Sequence, residues 1–293
     1  MGNYFSFTIE QAFMTPIRNI ADKIYLKELM KFDFIQKSKH YFLCKTKKLI
    51  FHTSKSVIYN NTILKIEFVL GGKKTKIYSI DLRGLGNKLF IDRNKSNDRC
   101  IAIISEKTEL PFLIQPETFE KFKINLENYP EILYIGTSRD FSKRLIGHEK
   151  VELARCGISE YEDLRYYFIN FKFGISSMNE NNILFNLNGI NPDLIGITDL
   201  NKLDELMERI MIHFFKPELN ELHKNSEIRK DKRLNEILLS KGITGVTCGY
   251  GMEDKSYKFW TKNQLLHSEV FSFDCRINTT DYYPWVDIEL IEN

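Results

Sequence analysis

The chain has 293 residues, of which 43% are apolar and 13% aromatic, and a formal net charge of +3 at pH 7. This length suits two modest domains, and the apolar content excludes long disordered stretches. No apolar run reaches the roughly 20 residues that span a bilayer, and no signal-peptide pattern is present, so we expect a cytoplasmic protein with no membrane partner. Because the net charge is small, local clusters of charge carry more information than the total.

The N-terminal part of the chain predicts a helix followed by short strands. Residues 8–41 show an apolar stripe at helical spacing, with a break at Pro16. Runs rich in Ile, Phe, Tyr and Leu then predict strands at 41–44, 49–52, 63–70, 76–82, 89–92 and 100–105. Gly71 and Gly72 predict a hairpin turn between two of them. We therefore expect residues 1–110 to form a β-rich domain with an N-terminal helix.

The middle of the chain, residues 111–222, predicts a separate unit of mixed structure. Its strands are expected at 113 or 122–126, at 132–135 and at 164–173, and a helix is expected at 141–154. Residues 199–215 have the clearest helical period in the chain, with Asp199 as the N-cap. The Asn-rich stretch 174–196 breaks the pattern and predicts an insertion between strand and helix.

Two segments of this middle region carry the candidate functional residues. The first contains Tyr134 on a predicted strand, followed by Arg144 and His148, which one helix would place a turn apart on one face. The second contains Glu208 on the long helix and Asn220 beyond its end. Such a set suits phosphodiester hydrolysis, since that reaction needs an oxygen ligand for a metal, a cation for the developing charge and a group that orients water.

The spacing of these residues resembles that of the GIY-YIG nuclease superfamily. Arg144 follows Tyr134 by ten residues and His148 follows by four more, which is the order of that family's second tyrosine motif. The family's metal-binding glutamate lies on a later helix and is often followed by a proline and an asparagine, an order that Glu208 and Asn220 reproduce.

The resemblance covers about residues 111–222 and implies an α+β fold. It implies a three-stranded antiparallel sheet with flanking helices, embedded between β-rich N- and C-terminal regions. It also implies a metal-dependent endonuclease that hydrolyses DNA, double-stranded in the first instance, of restriction, defence or mobile-element type. Whether such an enzyme acts as a homodimer stays open.

The resemblance assigns a role to each candidate residue. Glu208 would bind one Mg²⁺ or Mn²⁺ ion. Arg144 would bind the scissile phosphate, for which a planar guanidinium is better suited than lysine. Tyr134, helped by His148, would position or deprotonate the attacking water, and Asn220 would fix a loop that closes the site. Glu205, on the preceding helical turn, is the alternative metal ligand.

The family's first triplet has no counterpart at the usual distance. It ends in a tyrosine about ten residues before the second motif, whereas Lys123 stands eleven residues before Tyr134 and the nearest upstream tyrosine is Tyr129. Three alternatives follow: Tyr129 substitutes, Lys123 takes an altered role, or hydrolysis is weakened or lost. The last alternative would make the chain a GIY-YIG-derived nucleic-acid-binding protein.

The C-terminal residues 223–293 predict an α/β extension. A helix is expected at 233–240, and strands are expected at 243–248, 257–261, 269–274 and 285–290. Basic islands at 45–48, 71–76 and 223–233 are candidate contacts to phosphate.

Overall fold

The computed structural model describes residues 2–108, 110–120, 126–179, 182–184, 200–221, 236, 238–240, 242–250, 258–263, 271–278 and 285–291. The chain contains both helices and sheets. It divides into two compact units: unit 1 comprises Met1–Lys45, Tyr129–Gly157 and Leu164–Asn293, and unit 2 comprises Thr46–Asn128 and Ile158–Asp163. These bounds differ from the predicted divisions at residues 110 and 222.

The strands, in chain order, are β1 (Gly2–Pro16), β2 (His40–Lys47), β3 (Leu49–Phe51), β4 (Val57–Tyr59), β5 (Ile63–Leu70), β6 (Lys73–Asp81), β7 (Leu89–Asn97), β8 (Cys100–Ser105), β9 (Phe112–Ile114), β10 (Glu131–Thr137), β11 (Glu162–Asn179), β12 (Asn182–Leu184), β13 (Ile243–Tyr250), β14 (Phe271–Asn278) and β15 (Trp285–Ile291). The α-helices are α1 (Ile17–Ile20), α2 (Lys23–Leu29), α3 (Asp33–Lys37), α4 (Pro116–Glu120), α5 (Phe141–Arg144), α6 (Glu149–Cys156) and α7 (Leu200–Phe215).

Unit 1 is built on one large sheet with the strand order β10-β2-β11-β1-β13-β14-β15, and β12 pairs with β11 off this path. Strand β10 is antiparallel to β2, with Gly136 opposite Tyr41 and Thr137 opposite His40. Strand β1 is antiparallel to β11 and parallel to β13. Two of the three strands expected in the middle region, 132–135 and 164–173, therefore lie in this larger sheet, with β2 between them.

The core of unit 1 lies between this sheet and the apolar face of α7. Met207, Ile210 and Met211 of the helix are fully buried, and they share one cluster with Phe42 of β2 and Tyr167 of β11. Burial of one helical face against a sheet is what the period of residues 199–215 predicts, and the helix is confirmed from Leu200 onwards. Its expected cap, Asp199, lies outside the described residues.

Unit 2 contains two small sheets around a core of its own. Strand β5 pairs with β3, β4 and β6 in the first sheet, and β8 lies between β7 and β9 in the second. The hairpin between β5 and β6 turns at Gly71 and Gly72, both with positive φ, as their sequence predicts. The buried apolar side chains of unit 2 form one cluster: Leu49, Phe51, Leu64, Ile66, Phe68, Leu89, Ile101, Ile103, Phe119 and Leu126.

The predicted N-terminal helix is wrong over its first part. Gly2–Pro16 is a strand, and only the short helices α1 to α3 follow it. The reason is tertiary, because β1 pairs with β11 on one side and β13 on the other, and both partners are far away in sequence.

Of the two positions expected for the first strand of the middle region, that at residue 113 is wrong. Residues 112–114 do form a strand, but it belongs to the small sheet with β7 and β8 in unit 2. The antiparallel neighbour of β10 is instead β2, which precedes it by most of unit 2. Residues 122–125 and Lys123 among them lie outside the described residues.

The helix expected at 141–154 is two helices. Gly147, with φ of +65°, has a left-handed conformation in the turn between α5 and α6, and His148 then caps α6 with its side chain. The strands expected at 132–135, 164–173, 243–248 and 285–290 are confirmed, and that at 269–274 is confirmed from Phe271 onwards. Residues 236 and 238–240 of the helix expected at 233–240 are helical, whereas its other residues and the basic island at 223–233 lie outside the described residues.

Candidate functional site

Two tyrosines on neighbouring strands form the floor of the candidate site. Tyr41 of β2 and Tyr134 of β10 have ring centroids 6.0 Å apart. Gly136 lies beneath them, and a Cβ added there would lie 2.6 Å from Cε1 of Tyr134 and 2.8 Å from the hydroxyl of Tyr41. Since real Cβ atoms do not approach other atoms so closely, only glycine at position 136 lets both rings lie where they do.

Arg144 joins the two phenols. Its Nε donates to Tyr41 Oη at 3.0 Å and its Nη2 donates to Tyr134 Oη at 3.2 Å. The guanidinium is placed by α5, whose first residue, Phe141, is buried edge-on against Tyr41 and Phe168. As a planar group with several N–H donors, the guanidinium binds both hydroxyls and keeps further donors for an anion.

His148 approaches Tyr41 from the start of α6. Its Nδ1 accepts a hydrogen bond from the backbone N–H of Lys150 at 3.2 Å, so the neutral ring carries its proton on Nε2. That Nε2–H donates to Tyr41 Oη at 2.7 Å. Burial, with the nearby charges of Arg144 and Lys150, lowers the pKa of His148 to about 4. The imidazole is therefore neutral near pH 7.

The hydroxyl oxygen of Tyr41 consequently receives two N–H donors, one from Arg144 and one from His148. The side chain is fully buried. Burial raises the pKa of Tyr41 above its usual value, the neighbouring Tyr134 raises it further, and the hydrogen bond from Arg144 opposes them. Near neutral pH Tyr41 is thus a protonated phenol. When its proton leaves, the two N–H donors can stabilise the phenolate oxygen.

Glu208 lies on α7 beside the end of β10. Thr137, the last residue of β10, donates its hydroxyl to Glu208 Oε2 at 2.8 Å. Burial raises the pKa of this carboxyl, whereas the bond from Thr137 and the charge of Arg144 lower it. Glu205 is exposed instead and forms an ion pair with Arg209 at 3.7 Å. Of the two acids, Glu208 is therefore the one that shares the electrostatic environment of Arg144.

Asn220 holds the segment after α7 against the outer edge of β10. Its Oδ1 accepts from the N–H of Ile135 and its Nδ2 donates to the carbonyl of Ile135, both at 2.9 Å. The N–H of Leu219 adds a bond to the carbonyl of Leu133 at 2.9 Å. The buried amide thus satisfies backbone groups that an edge strand would leave unpaired.

The structure thus gathers Tyr134, Arg144, His148 and Glu208 at one end of β10, and Asn220 supports that strand from its edge. Sequence reasoning missed the residue at the centre of this arrangement, Tyr41. The bulky residues at 41–44 did predict a strand there. Because most of unit 2 separates this strand from β10 in sequence, the pairing of the two strands could not be predicted.

Tyr129, one of the two proposed substitutes for a first tyrosine, is not part of this arrangement. The ring of Tyr129 lies under the ammonium group of Lys258, 5.3 Å from it, and its backbone carbonyl accepts from the indole of Trp260. Tyr129 precedes β10 in the chain, whereas Tyr41 is opposite Gly136 near the end of that strand. Lys123 falls outside the described residues.

The site offers a metal ion one carboxylate ligand rather than a complete set of protein ligands. Over the residues the structure describes, no three His, Cys, Asp or Glu side chains come together. Glu208 fits a hard divalent cation as a single protein ligand, because its oxygens are the donors that Mg²⁺ prefers and burial disfavours its unpaired charge. Among the described helices none has the length and apolar character needed to cross a bilayer.

Comparison with known proteins adds nothing to this geometry. The chain has no significant match to a protein-family model, a curated protein or a solved structure. Functional inference therefore starts from the residues and distances above.

Proposed function

We propose that the chain is a metal-dependent endonuclease of GIY-YIG type that hydrolyses phosphodiester bonds in double-stranded DNA. The observation that carries this proposal is the guanidinium of Arg144 hydrogen-bonded to two tyrosines on adjacent antiparallel strands. Each of these groups has a role in phosphodiester hydrolysis. An arginine with only a structural role would not require two phenols and a histidine around it.

Tyr41 supplies the feature that the sequence pattern lacked. In the GIY-YIG arrangement two short strands carry one tyrosine each, and here β2 and β10 do so in antiparallel register. The triplet that ends in Tyr41 reads Lys39-His40-Tyr41 rather than Gly-Ile-Tyr. With a tyrosine present on each strand, the alternative of a nuclease-derived protein that only binds nucleic acid loses its main support.

The proposed roles follow from the chemistry of each group. Arg144 binds the scissile phosphate and offsets the charge that accumulates on it. Glu208 holds a divalent cation, Mg²⁺ or Mn²⁺, which supplies Lewis-acid stabilisation of the phosphate. Tyr134 orients the phosphate or the water through its hydroxyl, and Asn220 is a positioning residue that keeps β10 in place.

Tyr41 is the proposed base. As a phenolate it takes a proton from water, the water oxygen bonds to phosphorus, and the ester oxygen leaves with a proton from solvent. His148 orients Tyr41 and stabilises the phenolate through its Nε2–H, because a neutral histidine that already donates to Tyr41 is poorly placed to accept the proton itself. This reassigns the water-activating role that the resemblance alone gave to Tyr134 and His148.

The test is cleavage of supercoiled plasmid by the purified full chain with Mg²⁺, with and without a chelator. We expect nicking or linearisation that the chelator abolishes. Glu208→Gln, which keeps the size and the bond from Thr137, should lose cleavage, and so should Arg144→Lys, since an ammonium group cannot bind two hydroxyls and a phosphate together.

Glu205→Gln is the matched control for the metal ligand. It removes a carboxylate one turn away on the same helix and should cut as the wild type does. Plasmid that stays intact with the wild-type chain while binding it would instead indicate a nucleic-acid-binding protein. Cutting that Glu208→Gln leaves unchanged would exclude Glu208 as the metal ligand.

A further inference from the structure

A second cation, Lys150, lies beside the candidate site. It is the second residue of α6, and its backbone N–H donates to Nδ1 of His148 at 3.2 Å. The ring of His148 in turn lies 5.3 Å from the ring of Tyr134, measured between centroids. Burial lowers the pKa of His148, and the charges of Arg144 and Lys150 lower it further. The charge of Lys150 therefore acts on the same imidazole as that of Arg144.

The anionic partner of Lys150 is Glu221. The ammonium nitrogen Nζ donates to Oε1 of Glu221 at 2.7 Å. Glu221 directly follows Asn220, whose amide is bonded to the backbone of Ile135 in β10, so the ion pair joins the start of α6 to the segment after α7. The hydrogen bond to Glu221 raises the pKa of Lys150 above its usual value. The ammonium group is therefore charged at neutral pH.

The two members of this ion pair differ in exposure. The side chain of Lys150 is 18% exposed, whereas that of Glu221 is 80% exposed. A lysine with a packed stem presents its ammonium group at a fixed place on the surface. A carboxylate on an exposed side chain can turn away at little cost, because an ion pair in contact with water contributes little to stability. Another anion can therefore replace Glu221 on Lys150.

We propose that Lys150 is a further phosphate-binding residue of this site, which binds a phosphate next to the scissile one, and that Glu221 takes the place of that phosphate when DNA is absent. Carboxylate and phosphate oxygens both accept hydrogen bonds from an ammonium group. Successive phosphates follow one another along a strand, so a protein that binds one with Arg144 meets its neighbours as well. The choice of a DNA phosphate as the ligand rests on the proposed function. Glu221 then weakens DNA binding by competition.

The test measures binding of the full chain to a short fluorescent duplex by anisotropy, without divalent metal, over a series of KCl concentrations. Lys150→Gln should raise Kd about tenfold and lower the slope of log K against log salt by about 1, because one phosphate contact is lost. Lys150→Arg keeps the charge and should retain the wild-type slope. Glu221→Gln should lower Kd by about threefold, because it removes the competing carboxylate.

The matched controls are Arg155→Gln and Glu152→Gln. These two residues form an ion pair within α6, with Nη1 of Arg155 2.9 Å from Oε1 of Glu152, and both are exposed. Their substitutions change the net charge by the same amounts as Lys150→Gln and Glu221→Gln, and each should change Kd much less than its counterpart. In a chain that already carries Lys150→Gln, Glu221→Gln should give no gain in affinity, because the carboxylate acts through the lysine.

The opposite signs of the two effects separate this role from a structural one. An ion pair that only ties α6 to the segment after α7 would lower the urea midpoint in both single variants and leave Kd no more changed than in the controls, which would overturn the inference. A gain from Glu221→Gln that persists without Lys150 would also overturn it. The expected effects in a chain that never cuts plasmid would support the inference and contradict the proposed function. Binding equal in all four single Gln variants, in a chain that does cut, would overturn the inference alone.

Discussion

At the scale of single residues, burial raises the pKa of both Tyr41 and Glu208, but the two groups differ in the hydrogen-bond donors that their oxygens receive. Tyr41 is buried but receives two N–H donors, which favour its anion. Glu208 is partly buried and accepts a hydrogen bond from the hydroxyl of Thr137, a neutral donor. The environment of Tyr41 suits a group that ionises during a reaction, whereas that of Glu208 suits a carboxylate that binds a cation.

The pH dependence of cleavage tests the role of Tyr41. Because the pKa of Tyr41 lies above its usual value, the phenolate is a small fraction of the protein at neutral pH. That fraction rises about tenfold for each pH unit below the pKa, so single-turnover rates should rise with a slope near 1 in log rate against pH.

Tyr41→Phe should lower the rate by about 10²-fold or more and remove this slope. Tyr134→Phe and Tyr129→Phe serve as controls. The former should slow cleavage but keep the slope, and the latter should cut normally, since its ring contacts Lys258 instead. A steep pH profile that persists in Tyr41→Phe would assign the base elsewhere.

Removing the charge of Glu208 should stabilise the fold while it abolishes cleavage. Burial raises the pKa of this carboxyl, so the ionised form costs stability at neutral pH and that cost disappears as pH falls through the pKa. We therefore expect Glu208→Gln to raise the free energy of unfolding by about 1 kcal/mol near pH 7. Urea melts at neutral and acidic pH measure this, and the gain should shrink in acid. A destabilised Gln variant would mean that the carboxylate has a structural role.

At the scale of secondary-structure elements, the local sequence pattern predicted those elements whose conformation depends mainly on neighbouring residues. The strands β5 and β8 and the helix α7 match their expected bounds closely, because their alternation or helical period reflects which face is buried. The strand β1 was read as a helix, since its pairing with β11 and β13 depends on residues far along the chain. The side chains Arg144, His148 and Glu208 could be named from spacing, but Tyr41 could not, because nothing local links β2 to β10.

The break between α5 and α6 is an element whose geometry serves the site. Gly147, in the turn after α5, has φ of +65°, and this change of chain direction lets the ring of His148 reach Tyr41. A continuous helix would need right-handed dihedrals at position 147 and would carry His148 in a different direction from the one observed.

Substitution of Gly147 should therefore affect both stability and cleavage. Gly147→Ala should lose about 1 kcal/mol, because an alanine in the left-handed region is strained although no atom lies within 4 Å of its Cβ. Gly147→Asn should lose less, since asparagine tolerates that region better. Gly157→Ala is the matched control: its glycine has φ of −100° and an added Cβ would meet its nearest neighbour at 3.6 Å. Urea midpoints and cleavage rates compare the three, and equal midpoints for the two alanine variants would contradict a strained backbone at 147.

At the scale of the whole molecule, the larger segment of unit 2, Thr46–Asn128, is an insertion into a hairpin of unit 1. The chain leaves β2 after Lys45, which is opposite Glu131 at the start of β10, so entry and exit lie side by side. Within unit 2 the two ends are joined again, as the amide of Asn128 bonds to both the N–H and the carbonyl of Lys47. Because loop closure costs little extra free energy as length grows, a hairpin can accept such an insertion without losing its register.

Replacing residues 48–128 by a short Asn-Gly turn should consequently leave unit 1 folded. The catalytic candidates all belong to unit 1, and Tyr41 would reach Tyr134 through a tight hairpin in the same register. We expect a cooperative melt and metal-dependent cutting of plasmid, with DNA binding that is weaker and less sensitive to salt because the basic island at 71–76 is gone. The Glu208→Gln change in the shortened chain is the control for contaminating nuclease. A shortened chain that folds cooperatively but cannot cut would show that unit 2 takes part in the reaction itself. A shortened chain that binds DNA with the same salt slope as the full chain would place the main phosphate contacts in unit 1.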